Sequence, residues 1–162
     1  YLKLDFIIKK LLKIYFKEQI LLVIHQRHND HIKQNFSTGN YVKIKSMIDN
    51  WNTNILVYFT PYNMNDDWFI VYAGIKYQES LILSNDLLKD HKFKISEEID
   101  FEDIFNKWIE VSRIGFDFRE KKYDLRNLEL IFPNTVSHRV QENGKYFHIP
   151  SLNDTWVCIP TI

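Results

Sequence analysis

Three short, unbroken apolar runs separated by segments of helical periodicity constrain this chain more than any other feature. The runs are Ile20-Leu21-Leu22-Val23-Ile24, Ile55-Leu56-Val57-Tyr58 and Leu81-Ile82-Leu83, the last forming the expected strand 80–83 together with Ser80. Continuous apolar stretches of this length suit strands covered on both faces, as in a parallel sheet. Leu4, Ile7, Ile8, Leu11, Leu12 and Tyr15 recur at helical spacing, with Lys3, Lys9, Lys10, Lys13 and Lys17 largely off that face. Residues 41–52 predict a second helix, and residues 66–76 a third with Asn65 as its N-cap. Asn85 reads as the cap of a further helix, and residues 101–112 as another; the polar stretch 25–40 reads as a loop. Helices alternating with apolar strands imply an α/β fold built on a parallel sheet.

Beyond Arg113 the pattern changes to short strands at 114–118, 128–132, 136–141, 146–149 and 156–159. Glu142-Asn143-Gly144-Lys145 marks a hairpin turn through its Asn-Gly pair. Two parts are therefore expected: an α/β core over 1–112 and a strand-rich part over 113–162. An aromatic share of 15% with four glycines and four prolines argues against disorder. No apolar run reaches the ~18 residues of a membrane span, and no signal peptide is visible. Neither a Gly-x-Gly-x-x-Gly nor a Walker loop occurs, so nucleotide-cofactor binding has no motif behind it. The lone Cys158 excludes an internal disulfide and fits a reducing, intracellular setting. Net charge is zero, but residues 1–45 carry nine Lys/Arg against three Asp/Glu, while the remainder carries twelve against eighteen. Such a division suits metal ions at one place and phosphates at another, as well as a plain solvated basic helix face.

Open α/β sheets place their chemistry at the carboxyl ends of the strands. Asp66 and Asp67 follow the second strand, and Asp86 follows the third, with Asp90 one helical turn further on. One Asp at a helix start is ordinary, because it satisfies free N–H groups and the helix dipole. Several carboxylates converging on one edge instead repel one another unless a hard cation joins them. Mg²⁺ accepts two or three carboxylates plus water, and can then activate water against a phosphodiester. The residues alone leave open a receiver-like phosphorylation domain, although the regular five-fold βα alternation is missing.

The stretch Asn65-Asp66-Asp67-Trp68-Phe69-Ile70-Val71-Tyr72-Ala73-Gly74 resembles the acidic-pair motif of proteinaceous RNase P, where Asp-Asp precedes an aromatic helix containing Leu-Tyr-Ala-Ala. Ile82-Leu83-Ser84-Asn85-Asp86-Leu87-Leu88-Lys89-Asp90-His91 is similar to that family's Leu-Val-Thr-Asn-Asp-Glu-Met-Arg-Asp-His. Leu21-Leu22-Val23-Ile24-His25 looks like its Leu-Val-Ile-Leu-His strand, and Phe105 to Trp108 its Phe-Pro-Arg-Trp segment, with Asn106 and Lys107 in place of Pro and Arg. In the tail, Val140-Gln141-Glu142, Phe147-His148-Ile149-Pro150 and Trp156-Val157-Cys158 resemble its Val-Ile-Gln-Glu, Trp-His-Val-Pro and Trp-Leu-Cys.

This resemblance implies a Rossmann-like sheet of the PIN/NYN nuclease type with a zinc-tethered, strand-rich end. It implies Asp66, Asp67 and Asp86 as catalytic ligands of Mg²⁺ or Mn²⁺, and Asp90 as a neighbouring acidic position. Lys89 and His91 would lie close to the RNA, as would the basic first helix, His25, His28 and His31. His148 and Cys158 fall on two ligands of a structural zinc. The implied activity is removal of the 5′ leader of precursor tRNA, in the nucleus, a mitochondrion or another organelle. Departures are equally specific. The family's Asp-Gly-Ala-Asn-Val segment, its two other zinc cysteines and its tRNA-gripping helical-repeat (PPR-type) domain have no counterpart here. Lys89 replaces an Arg, keeping charge and losing the planar fork. The expectation is a C-terminal part of a longer protein, weak or inactive by itself. Two alternatives stand beside it: a catalytically incomplete RNA-binding domain of the same fold, and a related NYN-type RNase with another RNA target.

Overall fold

A computed structural model describes residues 1–35, 38–88, 99–119, 126–152 and 155–161. Helix α1 (Leu2–Leu11) and a 3-10 turn (Lys17–Gln19) lead into strand β1 (Leu21–His25). Helices α2 (Gln26–Asn35) and α3 (Thr38–Asn54) follow, then strand β2 (Leu56–Thr60). Strands β1 and β2 pair in parallel, from Leu21 opposite Leu56 to His25 opposite Thr60. Against them lies a core of Ile8, Ile20, Ile48, Trp51 and Ile55, with Leu4, Leu11, Leu22 and Val57 packed around it. The apolar stripe expected of the first helix thus supplies this core. Its lysine-rich side also carries a residue the periodicity does not mark. Asp5 is buried, accepting the Trp51 indole N–H at 3.0 Å and the Lys9 ammonium at 2.6 Å. A buried carboxylate is tolerable only when partnered in this way.

Helix α4 (Asp66–Lys76) precedes the short strand β3 (Ile82–Leu83), and helix α5 (Ile99–Ser112) runs straight into β4 (Arg113–Phe118). Strands β3 and β4 are parallel, while β5 (Leu128–Ile131) joins β4 antiparallel. Val71, Leu88, Phe105 and Ile109 form a second core between α4 and α5. Gly74 permits that packing: a Cβ there would sit 2.7 Å from Ile82 Cδ1 and 2.9 Å from Trp108 Cζ2. The last three strands, β6 (Gln141–Glu142), β7 (Tyr146–Pro150) and β8 (Trp156–Pro160), make a separate antiparallel sheet. Its first turn is the expected Asn-Gly one, with Gly144 at φ 77° and Asn143 Oδ1 accepting from the Lys145 and Tyr146 amides at 3.1 and 2.9 Å.

The parallel α/β architecture is as expected, and several details differ. Residues 25–40, expected as a loop, contain α2 and the start of α3. The sequence of α2 is mostly polar, so hydrophobic periodicity had almost nothing to report there. The expected single sheet appears, among the described residues, as the pair β1–β2 and the group β3–β4–β5. The strand-rich tail divides likewise, β4 and β5 joining β3 and only the last three strands standing apart. Strand 136–141 shrinks to Gln141–Glu142, because Ser137 and Arg139 are engaged with Glu110 of α5.

Candidate active site

The carboxyl ends of β1 and β2 are His25 and Thr60. The chain leaves β2 through Pro61 and a left-handed Asn63 at φ 62°, a conformation Asn tolerates better than most residues. Asn65 then caps α4, its Oδ1 accepting the Asp67 amide at 2.9 Å. Asp66 and Asp67 therefore occupy the first helical turn, half-buried, where the helix dipole favours negative charge. Helix α4 packs against both β1 and β3, so its start is fixed relative to both parallel pairs.

Asp86 stands three residues past β3 on a closely held loop. The Ser84 amide donates to the Ile114 carbonyl at 3.0 Å, and Arg113 Nη1 donates to the Ser84 carbonyl at 2.9 Å. Asn85 is not a helix cap. Its amide clasps the Phe116 backbone twice, donating at 2.8 Å and accepting at 2.9 Å. Ser84 Oγ accepts from the Asp86 amide at 3.0 Å, and Asp86 Oδ1 accepts from the Leu88 amide at 2.9 Å. Leu88 has φ 51°, so no helix continues through it, and the helix expected to carry Asp86 and Asp90 on one face does not include Asp86. Asp86 is exposed on this loop. Lys89, Asp90 and His91 lie outside the described residues.

Asp66 with Asp67, and Asp86, thus stand at the carboxyl ends of two different parallel strands. No group of three or more His, Cys, Asp or Glu gathers in metal-holding fashion among the described residues. The donors that are present are all carboxylate oxygens, the chemistry a hard divalent cation takes.

Several further groups share the β1–β2 edge and carry only weak sequence signals. His25 is buried, its Nδ1 accepting the Arg27 amide at 3.1 Å and its ring edge-on to Tyr62 at 6.1 Å. The Tyr62 hydroxyl donates to Asp30, which also accepts from Gln26 Nε2 at 3.4 Å. That hydrogen bond to Asp30, followed by desolvation and the Asp30 charge, raises the Tyr62 pKa. Thr60 is fully buried, and its hydroxyl has no partner among the described residues. The position of His25 and Tyr62 beside strand ends is the one clue the sequence offered. Of the lysines on the first helix, Lys9 is committed to Asp5.

The two tail residues expected to share a zinc do come together. His148 and Cys158 face each other across β7 and β8, with Nδ1 and Sγ 3.1 Å apart. A tetrahedral zinc takes sulfur at about 2.3 Å and nitrogen at about 2.0 Å, so two neighbouring ligands of this kind suit one ion. Two such donors are half of what a four-coordinate zinc takes.

Residues 2–158 match the family model described as Protein-only RNase P. Proteinaceous RNase P 2 of Arabidopsis thaliana is 29% identical over 147 residues, which is 86% of this chain and 25% of that protein. Proteinaceous RNase P 3 of the same plant is 27% identical over 150 residues, or 88% of this chain and 23% of that protein. The crystal structure of nuclear proteinaceous RNase P 2 from A. thaliana matches with a TM-score of 0.55 and 27% identity, over 88% of this chain and 28% of that one. The chain spans about a quarter of the length of the curated relatives it matches.

Proposed function

We propose, because this chain belongs to the protein-only RNase P family, that it forms the nuclease part of an endoribonuclease removing the 5′ leader of precursor tRNA. The observation that carries this reading is the delivery of Asp66, Asp67 and Asp86 to the carboxyl ends of two parallel strands by a capped helix and a pinned loop. These three carboxylates would hold Mg²⁺ or Mn²⁺. Bound there, the ion supplies positive charge and makes a coordinated water more acidic. The carboxylates hold it, and the rigid loop around Asn85 keeps Asp86 from reorganising during the reaction. Hydrolysis breaks the bond between the phosphorus and the 3′ oxygen of the leader, leaving a 5′-phosphate on the tRNA. The family resemblance further suggests Asp90 as an additional acidic residue and Lys89 and His91 as contacts to the RNA backbone, a positioning role without sequence readout. His148 and Cys158 are assigned to a structural zinc. The relatives' names place them in the nucleus and in chloroplasts or mitochondria, and a nuclear or organellar site is proposed for this protein too. No helix among the described residues is long and apolar enough to cross a membrane.

The test is cleavage of a leader-bearing precursor tRNA by the natural full-length protein with Mg²⁺. The expected product is tRNA with a 5′-phosphate, and chelation should stop its formation. Asp66→Ala and Asp86→Ala should each lower the rate by at least about 10², given the several kcal/mol a metal supplies to a transition state. Variants that cut as fast as the parent would leave the RNA-binding alternative, which the lack of a three-ligand cluster among the described residues favours.

A further inference from the structure

A cavity of about 340 Å³ opens beside the β7–β8 sheet, lined by Asn134, Thr135, Val136, His138, Pro150, Ser151, Thr155 and Trp156. None of the roles assigned above uses it. Its lining contains no Asp, Glu, Lys or Arg, so it is not built for a phosphate or a metal ion. Its mostly polar lining instead sets an amide, hydroxyls and an imidazole beside the aromatic Trp156 and the Pro150 ring. That mixture suits a neutral, planar ligand bearing both hydrogen-bond donors and acceptors. The Thr155 hydroxyl already donates to the Leu152 carbonyl at 2.8 Å, which leaves its lone pairs to accept. Aromatic stacking plus polar edge contacts is the way proteins hold unstacked bases of RNA.

The walls of this cavity are tied to both proposed metal sites. Pro150 and Trp156 are opposed on the β7–β8 ladder, two residues from the His148–Cys158 rung and on the same face of the sheet. The opposite wall is anchored on α5: Ser137 Oγ donates to Glu110 at 2.6 Å, Arg139 Nε donates to the same carboxylate, and so does the His138 amide. Helix α5 continues directly into β4, the strand whose Arg113 and Phe116 hold the loop bearing Asp86. A ligand seated here would be held against the same rigid element that fixes an active-site carboxylate.

We propose that this cavity seats one unpaired, unstacked nucleobase of the RNA substrate, a proposal that rests on the nuclease reading for its choice of ligand. The base would stack on Trp156 and bond at its edge to Asn134, His138 and Thr155.

Two measurements on the full-length protein test it. The first is saturation-transfer NMR with AMP, CMP, GMP and UMP, and with ribose 5-phosphate as the base-free probe. Base protons should receive saturation in the parent and lose it in Trp156→Ala, while ribose 5-phosphate gives no signal dependent on this cavity. The second is affinity for precursor tRNA. Trp156→Ala should weaken it about tenfold, since stacking a base contributes about 1–3 kcal/mol. Trp156→Phe should restore most of the loss. Because Trp156→Ala could disturb the sheet, Asn134→Ala and His138→Ala, both at exposed positions, should each cost a few-fold in affinity at unchanged thermal stability. Unchanged affinity in all of these variants overturns the pocket while leaving the nuclease reading intact. Equal binding of ribose 5-phosphate overturns it in favour of a phosphate site. A protein that seats bases here yet never cuts precursor tRNA refutes the nuclease reading alone.

Discussion

Trp51, carried by α3 and bonded to Asp5 of α1, is 1% exposed, whereas Phe147, Ile149, Val157 and Ile159 on the final sheet are 39, 36, 51 and 46% exposed. These four side chains share one face of β7 and β8, as the pairing of Phe147 with Ile159 and Ile149 with Val157 requires. Both described cores lie among residues 8–109, and the β6–β8 sheet contributes nothing to either. Burial of apolar surface is the dominant favourable term in folding. The first region has it in full. The last sheet relies on backbone ladders, on the Glu110 clasp to Ser137 and Arg139, and on the His148–Cys158 contact. Small β layers that cannot bury a core commonly need a staple, and zinc is one such staple.

The sharpest way to break this comparison is to attack the first core. Trp51→Ala should lower global stability by about 3–5 kcal/mol, partly through the cavity and partly by removing a donor from buried Asp5. Denaturant unfolding measures it, and a loss comparable to that of an exposed residue would sink the contrast. Metal removal should act at the other end. Chelation, or His148→Ala or Cys158→Ser, should cut amide-exchange protection of β7 and β8 by more than about tenfold, equivalent to about 1.4 kcal/mol of local stability. Protection of β1 and β2 should hold. Uniform loss across both regions would mean that they do not have separate supports.

Smaller effects probe the joints. Gly74→Ala should cost about 1–2 kcal/mol, because the gain in helix propensity only partly offsets crowding against Ile82 and Trp108. A variant more stable than the parent would show that α4 has room to move. The smallest effect concerns acid. Burial pushes the Glu110 carboxyl up, but bonds from Ser137 and Arg139, the Arg139 charge and the His138 amide together leave its pKa lowered. A depressed folded-state pKa means that its contribution is present above the unfolded carboxylate value and fades as pH falls through the folded one. Protection of the Ser137–Arg139 amides, measured relative to their intrinsic exchange rate at each pH, should therefore fall on acidification below the ordinary carboxylate range. Glu110→Gln should abolish that pH dependence, and persistence of the dependence in the variant would assign it to another group.

Much of this arrangement was legible in the residues, because apolar continuity and capping are local signals. The three apolar runs, the Asn65 cap and the Asn143-Gly144 turn each declare themselves within a few positions, but Leu21, Leu56, Tyr58 and Leu81 are exposed, so the runs are not covered on both faces as expected. Helix α2 did not declare itself, since Ile32 is the only apolar residue in its ten-residue sequence. Asn85 misled for a related reason. A residue suited to capping is equally suited to clasping a neighbouring strand, and only the approach of Phe116 selects between the two. The acidic positions were visible from the strand-end rule, but the His25–Tyr62–Asp30 set and the Thr60 hydroxyl, which has no partner among the described residues, depend on tertiary proximity. The Glu110–Ser137 contact, 27 residues apart, is invisible to any local pattern.

The central claim is that carboxylates at two strand ends act through a divalent cation, and replacing one ligand's hardness tests it most directly. Asp86→Cys in the full-length protein exchanges a hard oxygen donor for a soft sulfur one. Single-turnover cleavage of precursor tRNA should fall by about 10² or more in Mg²⁺ and recover in part when Mn²⁺ or Cd²⁺ is added. An undiminished rate in Mg²⁺ would contradict the assignment of Asp86 as a metal ligand.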